Sequence, residues 1–386
     1  MRKCYTLTFV GFSEFLGNEA TVRQLRLSIG SGRLPQAMIL AGPVGVGKYT
    51  LALMVAQAMN CTGEAEMASR TAGGLPDFCG ECRNCARIAA AAPLSARFEE
   101  AVAAREELRE VDKKETRILI QTHPDVLVIP PDPPQLLIKL GQIRRVIHEI
   151  YRFPSEARRA FYIFTSTGFM KEAANSLLKV LEEPPEFASI LLLAENPGEL
   201  LPTIRSRASI VRLAALPLNE IEALLAERRS DWKPAQRSLV ARLSEGAVGR
   251  AIGFPLERYL ASRQDALILL KGAIGGAIAE PDHSTLFKMT ETYRAGADGQ
   301  EKMSGLNRAL MSILEDLLLL RAGTPGLVRN VDLTGNGKGE LNRMAANLSL
   351  EWIDGAARGV NRLELGMRRN LLRSLALDSF AGELVQ

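Results

Sequence analysis

The residues best suited to chemistry lie between a hydrophobic run and a helix-forming run, in the segment Gly42-Pro43-Val44-Gly45-Val46-Gly47-Lys48-Tyr49-Thr50. Its spacing, GxxxxGK, is that of a phosphate-binding loop, in which backbone N–H groups and the lysine ammonium hold the phosphates of a nucleotide. We therefore predict that Gly42, Gly45, Gly47 and Lys48 contact a nucleotide such as ATP. The alternative is that the glycines only turn the chain and that Lys48 is solvated.

The residue after the lysine departs from this motif. A serine or threonine normally stands there and binds magnesium through its hydroxyl, but the sequence has Tyr49. Thr50 comes one residue later, and one residue of helix rotates a side chain by about 100°, so its hydroxyl is directed elsewhere. Thr50 stays among the candidate nucleotide-binding residues. We predict a loop that holds a nucleotide without hydrolysing it, unless the bulky Tyr49 obstructs the pocket.

Four of the five cysteines form a second candidate site. Cys79, Cys82 and Cys85 have the spacing CxxCxxC, Cys61 lies upstream of them, and Cys4 is isolated. Four thiolates can close a tetrahedral structural zinc site, and cysteine clustering in a reducing compartment favours metal over disulfides. We predict structural Zn²⁺ at these four residues, with no open position for catalysis. Free thiols packed as small hydrophobic groups are the alternative.

Composition limits the possible functions. The chain has 386 residues, 47% of them hydrophobic and 24% charged, which is typical of folded globular proteins. The net charge of +4 is too balanced for a protein that coats nucleic acid, although a local basic face is possible. The apolar stretches are too short or too interrupted to cross a membrane, and the N-terminus lacks the pattern of a signal peptide. We expect a cytoplasmic protein with no membrane contact.

The elements that must position the two sites follow from the hydrophobic pattern. Strands are predicted at 37–41, 125–129, 161–164 and 190–193, with helices between them. Strands that alternate with helices predict a mostly parallel sheet covered on both faces. After residue 216 the strand signals stop, and helical patterns continue to the end of the sequence.

Two predicted helical regions differ in their apolar content. An early amphipathic helix presents Val22, Leu25, Leu27 and Ile29 among arginine and serine residues. The region 86–120 is rich in alanine, glutamate and arginine and predicts one or two exposed helices. These are either a solvated surface or an element that docks a partner.

Several motifs resemble one family when they are taken in chain order. They are FSEFLGNE at 12–19, RLPQA at 33–37, HPD at 123–125, ANSLLKVLEEPP at 174–185, NP at 196–197 and LLPTIRSR at 200–207. Together they resemble the clamp-loader branch of the AAA+ ATPases, and within it the delta-prime subunits of bacterial DNA polymerase III. The resemblance is dense up to about residue 210 and sparse afterwards. Motifs that agree in order are far more specific than a lone GxxxxGK.

The resemblance implies a three-part architecture. An α/β AAA+ domain of the P-loop NTPase type would occupy 1–215, with a parallel sheet, an inserted zinc module at 61–85 and a charged helical insert at 86–120. A small helical lid domain would follow at 216–258. An all-α collar domain for oligomerisation would occupy 259–386.

The resemblance also assigns catalytic parts, some of which are absent here. The positions of the family's magnesium-binding aspartate and water-activating glutamate fall on Thr165 and Ser166, which can neither hold Mg²⁺ by charge nor activate water. Arg207 matches the arginine finger that reaches the γ-phosphate bound by a neighbouring subunit, although Ala208 replaces the family's cysteine. The alternative is that Arg207 is an ordinary surface arginine.

The function that the resemblance implies is that of a non-hydrolysing clamp-loader subunit. It would belong to a hetero-pentamer of clamp-loader subunits that places a sliding clamp on primed DNA, as part of a DNA polymerase III holoenzyme. One alternative is an active ATPase motor subunit of the same loader, in which Thr50 and another acid complete the site. A further alternative is a zinc-dependent DNA-binding protein, which the balanced charge disfavours.

Overall fold

The computed structural model describes residues 11–63, 74–274, 288–293, 297–335, 339–367 and 373–384. Cys4 lies outside these residues. The chain divides into two compact units. Unit 1 comprises Met1–Leu216 with Ala247–Arg250, and unit 2 comprises Pro217–Gly246 with Ala251–Gln386. The division into a domain, a lid and a collar stays a prediction.

Unit 1 alternates helices and strands. Its helices are α1 (Glu19–Gly30), α2 (Lys48–Asn60), α3 (Arg83–Ala89), α4 (Leu94–Glu106), α5 (Glu110–Glu115), α6 (Leu140–Ile150), α7 (Lys171–Glu182) and α8 (Pro202–Arg205). Its strands are β1 (Ala37–Ala41), β2 (Ile120–His123), β3 (Val126–Ile129), β4 (Ala160–Phe164), β5 (Ala188–Ala194) and β6 (Ser209–Arg212). Short 3₁₀ turns occupy Phe12–Glu14 and Pro197–Glu199.

The six strands form one sheet in the order β2-β3-β4-β5-β1-β6. All neighbours are parallel except β2 and β3, which are antiparallel. The predicted mostly parallel sheet is therefore confirmed, and its four predicted strands are β1, β3, β4 and β5. The edge strands β2 and β6 were not predicted, because their sequences, IQTH and SIVR, carry too few apolar residues and β6 is largely exposed.

Both faces of the sheet are buried, because helices cover each of them. Successive side chains of a strand point to opposite faces, so each central strand serves two cores. One core packs against α1, α2 and α3 and contains from the sheet Met38, Leu40, Val126, Val128, Phe161, Ile163, Leu191 and Leu193. The other packs against α6, α7 and α8 and contains Ile39, Ala41, Leu127, Ile129, Tyr162, Phe164, Ile190 and Leu192.

Helix α1 corrects one detail of the predicted apolar face. Val22, Leu25 and Ile29 are buried as predicted, but Leu27 is 53% exposed. Two residues of helix rotate a side chain by about 200°, so Leu27 lies opposite Leu25.

The charged insert at 86–120 contains two complete helices, α4 and α5, as predicted, together with the end of α3, which begins in the cysteine segment. No residue of α4 is fully buried, as predicted for an exposed helix. The helix is nevertheless anchored: Arg105 donates from Nη1 to Oδ1 of Asp132 at 2.7 Å, and Lys139 Nζ lies 3.2 Å from the same oxygen. Asp132 is completely buried, so these two cations supply the partners that a buried carboxylate requires.

A buried polar network connects α2, α3 and the end of β2, where the chain turns into β3. His123 shares a hydrogen bond between Nε2 and Asn84 Oδ1 at 3.2 Å, while Nδ1 accepts the N–H of Asp125 at 3.1 Å. Asn84 Nδ2 donates to Asn60 O at 2.9 Å, and Asn60 Oδ1 accepts the backbone N–H of Arg159 at 3.0 Å. Because Nδ1 accepts, the ring is neutral and carries its proton on Nε2.

Unit 2 is helical throughout its described part. Its helices are α9 (Leu218–Arg228), α10 (Pro234–Leu243), α12 (Leu256–Ile274), α13 (Ala297–Arg321), α14 (Glu340–Asn347), α15 (Leu350–Met367) and α16 (Arg373–Leu384), while α11 (Val248–Ile252) spans the boundary between the units. Helices α12 to α16 share one apolar core, which includes Trp352. None of the helices in the described ranges combines the length and apolar character needed to cross a bilayer.

The His123 network predicts how stability depends on pH. Burial lowers the pKa of His123, so the unfolded chain binds a proton that the folded protein excludes. Stability therefore falls as the pH drops below about 6.5, the unperturbed histidine pKa. We expect His123→Leu to lower the free energy of unfolding by about 1–3 kcal/mol at neutral pH, since Asn84 loses a buried donor, and to flatten this pH dependence.

The measurement is urea denaturation of both proteins between about pH 7.5 and pH 5.5. His148→Leu removes an exposed histidine that lies outside this buried network and serves as the control for the loss of a histidine side chain. A His123→Leu protein that loses stability with acid as steeply as the wild type would contradict the assignment.

Candidate functional site

The phosphate-binding loop joins β1 to α2 at the carboxyl ends of the parallel strands. Gly45 and Gly47 have φ angles of +83° and +99°, which favour glycine. Both positions are also crowded: a Cβ on Gly45 would lie 2.7 Å from Arg250 Cγ, and one on Gly47 would lie 2.9 Å from the Phe15 ring. The arrangement of strand, glycine turn and helix that the motif requires is therefore present.

Lys48 is the first residue of α2, and its ammonium contacts the loop itself. Nζ donates to Gly42 O at 2.5 Å and to Pro43 O at 2.8 Å. Partial burial lowers the pKa of Lys48, while the carboxylates of Glu195 and Glu199 act in the opposite direction. The loop therefore presents a cation together with backbone N–H groups, which is the chemistry that holds a polyphosphate.

Tyr49 stands where the motif has a magnesium-binding serine or threonine, and its side chain is held by packing and by a hydrogen bond. Its ring packs against the core between the sheet and the helices α1 to α3, and its hydroxyl donates to Ala91 O at 2.8 Å, just beyond α3. Burial raises the pKa of Tyr49, so the phenol stays neutral. A neutral phenol engaged in this contact is a poor ligand for Mg²⁺. Thr50 follows it on α2 and is partly buried.

The two positions that the resemblance assigns to the catalytic acids directly follow β4. Thr165 donates its backbone N–H to Ile129 O at 3.1 Å, and Ser166 Oγ accepts the N–H of Gly168 at 3.1 Å. Neither side chain carries the negative charge that attracts Mg²⁺ or the basicity that activates water. Of the parts that the resemblance assigns to catalysis, Tyr49 and Thr165 therefore stand at the two magnesium-ligand positions, and Ser166 stands at the position of the water-activating base.

Two glutamates beyond β5, Glu195 and Glu199, act electrostatically on Lys48, and Glu199 was not singled out from the sequence. Glu199 is held in place, since Oε1 accepts the N–H of Asn196 at 3.2 Å and Oε2 accepts the hydroxyl proton of Thr167 at 2.7 Å. Glu195 directly follows the last residue of β5. The pairing of β5 with β1 brings them to the loop, and local sequence carries no signal of that pairing.

A segment distant in the chain also contacts the loop. Gly249 donates its backbone N–H to Gly45 O at 2.8 Å, and this contact places the neighbouring Arg250 against Gly45. Both positions therefore require glycine, because a side chain on Gly249 or on Gly45 would clash with the other segment.

Arg207 lies at the surface between α8 and β6, with its side chain 34% exposed. Nη1 donates to Thr203 O at 3.0 Å, and Nη2 donates to Oε1 of Glu182 at 2.9 Å. These two contacts orient the guanidinium while leaving part of it accessible.

The four predicted cysteines are brought together. The Sγ atoms of Cys61, Cys79, Cys82 and Cys85 all lie within 4.8 Å of one another, with 3.6 Å between Cys61 and Cys79 and 4.0 Å between Cys61 and Cys82. A tetrahedral zinc with Zn–S bonds of about 2.3 Å has sulfur–sulfur edges of about 3.8 Å. The donor set and its spacing therefore fit one structural zinc ion.

The backbone around the cysteines supports thiolates. Cys61 follows the last residue of α2, and its sulfur accepts the N–H groups of Gly63 and Cys79 at 3.4 Å each. Burial raises the pKa of both Cys61 and Cys85. Burial also opposes ionisation of Cys82, but hydrogen bonds from Thr62 and Cys85 outweigh it and lower its pKa to about 6. One thiolate is thus favoured before any metal binds.

Comparison with known proteins identifies relatives of the chain. A family model described as DNA polymerase III, delta subunit matches residues 17–217. Subunit delta′ of Bacillus subtilis DNA polymerase III is 30% identical over 231 residues, which are 59% of this chain and 57% of the relative. Subunit tau of Escherichia coli is 25% identical over 303 residues, and subunit gamma/tau of Mycobacterium tuberculosis is 25% identical over 342 residues.

The tau and gamma/tau matches cover 77% and 83% of this chain but only 40% and 51% of those relatives. The chain thus spans about half the length of the curated relatives it matches. Among solved structures, a DNA polymerase III gamma subunit-related protein of Thermotoga maritima has a TM-score of 0.42 and 16% identity, covering 94% of this chain and 98% of that chain. The Bacillus subtilis DNA clamp loader delta protein has a TM-score of 0.31 and 12% identity, covering 94% and 99%.

The family model matches more than half of the chain, and it includes the phosphate-binding loop, the cysteine cluster and Arg207. The family that the motifs suggested is therefore confirmed. The chain therefore belongs to the family of DNA polymerase III delta subunits.

Proposed function

We propose that the chain is a non-hydrolysing clamp-loader subunit of the delta-prime type, built on an AAA+ domain. It would join other clamp-loader subunits in a hetero-pentamer that places a sliding clamp on primed DNA. The observation that carries the proposal is a contrast within one domain. Tyr49, Thr165 and Ser166 stand where an ATPase has its magnesium ligands and general base, whereas Arg207 is oriented and accessible at the surface.

Loss of the metal ligands limits the phosphate-binding loop to binding. Phosphoryl transfer depends on Mg²⁺ to neutralise charge that develops on the phosphates, and on a group that positions the attacking water. The loop keeps Lys48 and the N–H groups of its glycine turn, which hold phosphates without a metal. We propose that ATP binds here without hydrolysis.

Arg207 would act on a neighbour's nucleotide. An arginine finger stabilises charge on the transferred phosphoryl group and contributes about 10³ to 10⁵ in rate, or roughly 4 to 7 kcal/mol. The contact with Glu182 supports this role, because it fixes the direction of an otherwise mobile side chain before assembly.

Zinc would serve as a structural ion. The four cysteine sulfurs would hold it, and a site closed by four thiolates stabilises the fold but leaves no position for a substrate. Since Cys61 ends α2 and Cys85 lies in α3, the ion would join these two helices.

One observation favours a second candidate, an active ATPase motor subunit. The tau and gamma/tau relatives match a larger part of the chain than the delta′ relative does. Thr50 would then have to supply a magnesium ligand from α2. Magnesium-dependent ATP turnover by the isolated chain would establish this candidate and refute the first.

The role of Arg207 can be tested in the assembled loader. In a reconstituted loader whose other ATPase sites are disabled by substitution of their phosphate-loop lysines, Arg207→Ala should slow hydrolysis at the adjacent site by about 10³ to 10⁵. The control is Arg205→Ala, since Arg205 is exposed and two residues away, and it should leave the rate within about twofold. Unchanged turnover with Arg207→Ala would refute the finger.

Nucleotide binding by the phosphate-binding loop should be independent of magnesium. In calorimetric titrations, the isolated chain should bind ATP with the same affinity, within about twofold, with and without Mg²⁺, because no magnesium ligand remains. Lys48→Ala should weaken binding at least about tenfold through loss of a charged hydrogen bond. Lys171→Ala removes an exposed charge from α7 and should have no effect. A strong gain in affinity from Mg²⁺ would contradict the proposal.

The cysteine cluster should bind one zinc ion. Elemental analysis of the purified chain should give about one zinc per molecule, and Cys82→Ser should lose most of it, since one of four thiolates is removed. Chelation should also lower the midpoint of thermal unfolding. Cys4→Ser, the matched control outside the cluster, should retain zinc. If the purified protein contains no zinc and chelators do not change its melting temperature, the four cysteines are free thiols instead.

A further inference from the structure

The strand register places a carboxylate beside the phosphate-binding loop. Strands β1 and β5 pair in parallel with Ala41 opposite Ala194, and Gly42 N donates to Ala194 O at 3.1 Å. Glu195 is the next residue, so it leaves the sheet alongside Gly42, where the loop begins. No hydrogen bond to the Glu195 side chain is found within the described part of the chain, and the residue is exposed. Its charge therefore acts on the loop through space.

A second carboxylate is fixed at the same edge. The 3₁₀ turn Pro197–Glu199 follows β5, and both oxygens of Glu199 accept hydrogen bonds, from Asn196 N and from Thr167 Oγ1. The bond from Thr167 joins the turn after β5 to the segment after β4, and the bond from Asn196 lies within the turn. The Glu199 charge is thus anchored independently of Lys48.

Lys48 is the cation on which these two carboxylates act. Its ammonium donates to two carbonyl oxygens of the loop, which carry no net charge. Burial lowers the pKa of Lys48, and of the charges around it Glu195 and then Glu199 do most to keep it protonated. A phosphate would meet this same ammonium in a nucleotide complex.

We propose that Glu195 and Glu199 act as built-in counter-ions of Lys48 that compete with a bound polyphosphate and favour the phosphate-free loop. This inference rests on the proposed nucleotide binding and adds its regulation by two residues. The two carboxylates neutralise Lys48 in the free protein and repel the negative charges of ATP. The loop would therefore keep its shape when no nucleotide is bound. A subunit that does not hydrolyse ATP requires such a loop.

The size of the effect follows from Coulomb's law. A carboxylate about 9 Å from a triphosphate in water repels each negative charge of the triphosphate. Summed over these charges, the repulsion weakens binding roughly tenfold, and added salt reduces the repulsion. Glu195→Gln should therefore tighten ATP binding about fivefold to tenfold in low salt without Mg²⁺. Glu195→Gln/Glu199→Gln should tighten it further, and both gains should shrink in about 0.5 M salt.

The control keeps the change in net charge but moves it away from the loop. Glu99→Gln/Glu107→Gln alters two exposed glutamates at α4, and it should bind ATP as the wild type does. Equal affinity of the wild type and Glu195→Gln, measured by calorimetry in low salt, would overturn the inference. A gain in the α4 control as large as in Glu195→Gln would also overturn it, since net charge alone would then explain the effect.

A second measurement separates this inference from nucleotide binding. The labelling rate of Lys48 by acetic anhydride, read by peptide mass spectrometry, should rise in Glu195→Gln/Glu199→Gln, because more of the amine is then unprotonated. Faster labelling without ATP binding in any variant would support the counter-ions and refute nucleotide binding. Unchanged labelling would refute the counter-ions, whatever the ATP titrations give.

Discussion

The burial of helix α2 on all sides is the constraint on which both candidate sites depend. The sheet packs on one side of it and α3 on the other, so residues 51–56 are all buried. Lys48 begins this helix and Cys61 follows its end, which sets the two sites about 20 Å apart on one rigid element. On the side of α2 that faces the cysteine segment, the Tyr49 hydroxyl donates to Ala91 O and the Gln57 side-chain amide donates to Cys85 O. The position of the phosphate loop therefore depends on how the cysteine module packs.

Buried polar groups give this core its specificity. Asn60, Asn84 and His123 satisfy one another and the backbone around Arg159, so only one docking of α3 on α2 pairs all their donors and acceptors. Asp132 has the same effect at the sheet edge, where Arg105 brings the exposed α4 to a fully buried carboxylate. Removing one partner destabilises the fold by more than the net contribution of the hydrogen bond, because a buried polar group is then left unpaired. The charged insert is thus attached by a few buried contacts and otherwise presents a solvated surface.

The charges around the phosphate loop agree with the proposed loss of magnesium binding. Thr165 and Ser166, which the resemblance aligns with two acidic residues, carry no charge. The negative charge that acts on Lys48 comes from Glu195 and Glu199. The loop keeps its glycine geometry because Gly45 packs tightly against Gly249 and Arg250. The shape and the charge balance of the loop therefore do not depend on ATP hydrolysis, in agreement with the proposed function.

The sequence by itself determined the family, the four central strands, the helical second half and the candidate ligands, because these are recorded in local periodicity and spacing. GxxxxGK places Lys48 at the start of a helix, and CxxCxxC places three sulfurs within reach of one ion. Only the tertiary structure decided what lies beside them. The edge strands β2 and β6 have weak apolar patterns, and their pairing comes from neighbours far along the chain. The approach of Glu195 to Lys48, the contact of Tyr49 with Ala91 and the anchoring of Arg105 at Asp132 all join residues distant in sequence, and such contacts are set by packing rather than by local pattern.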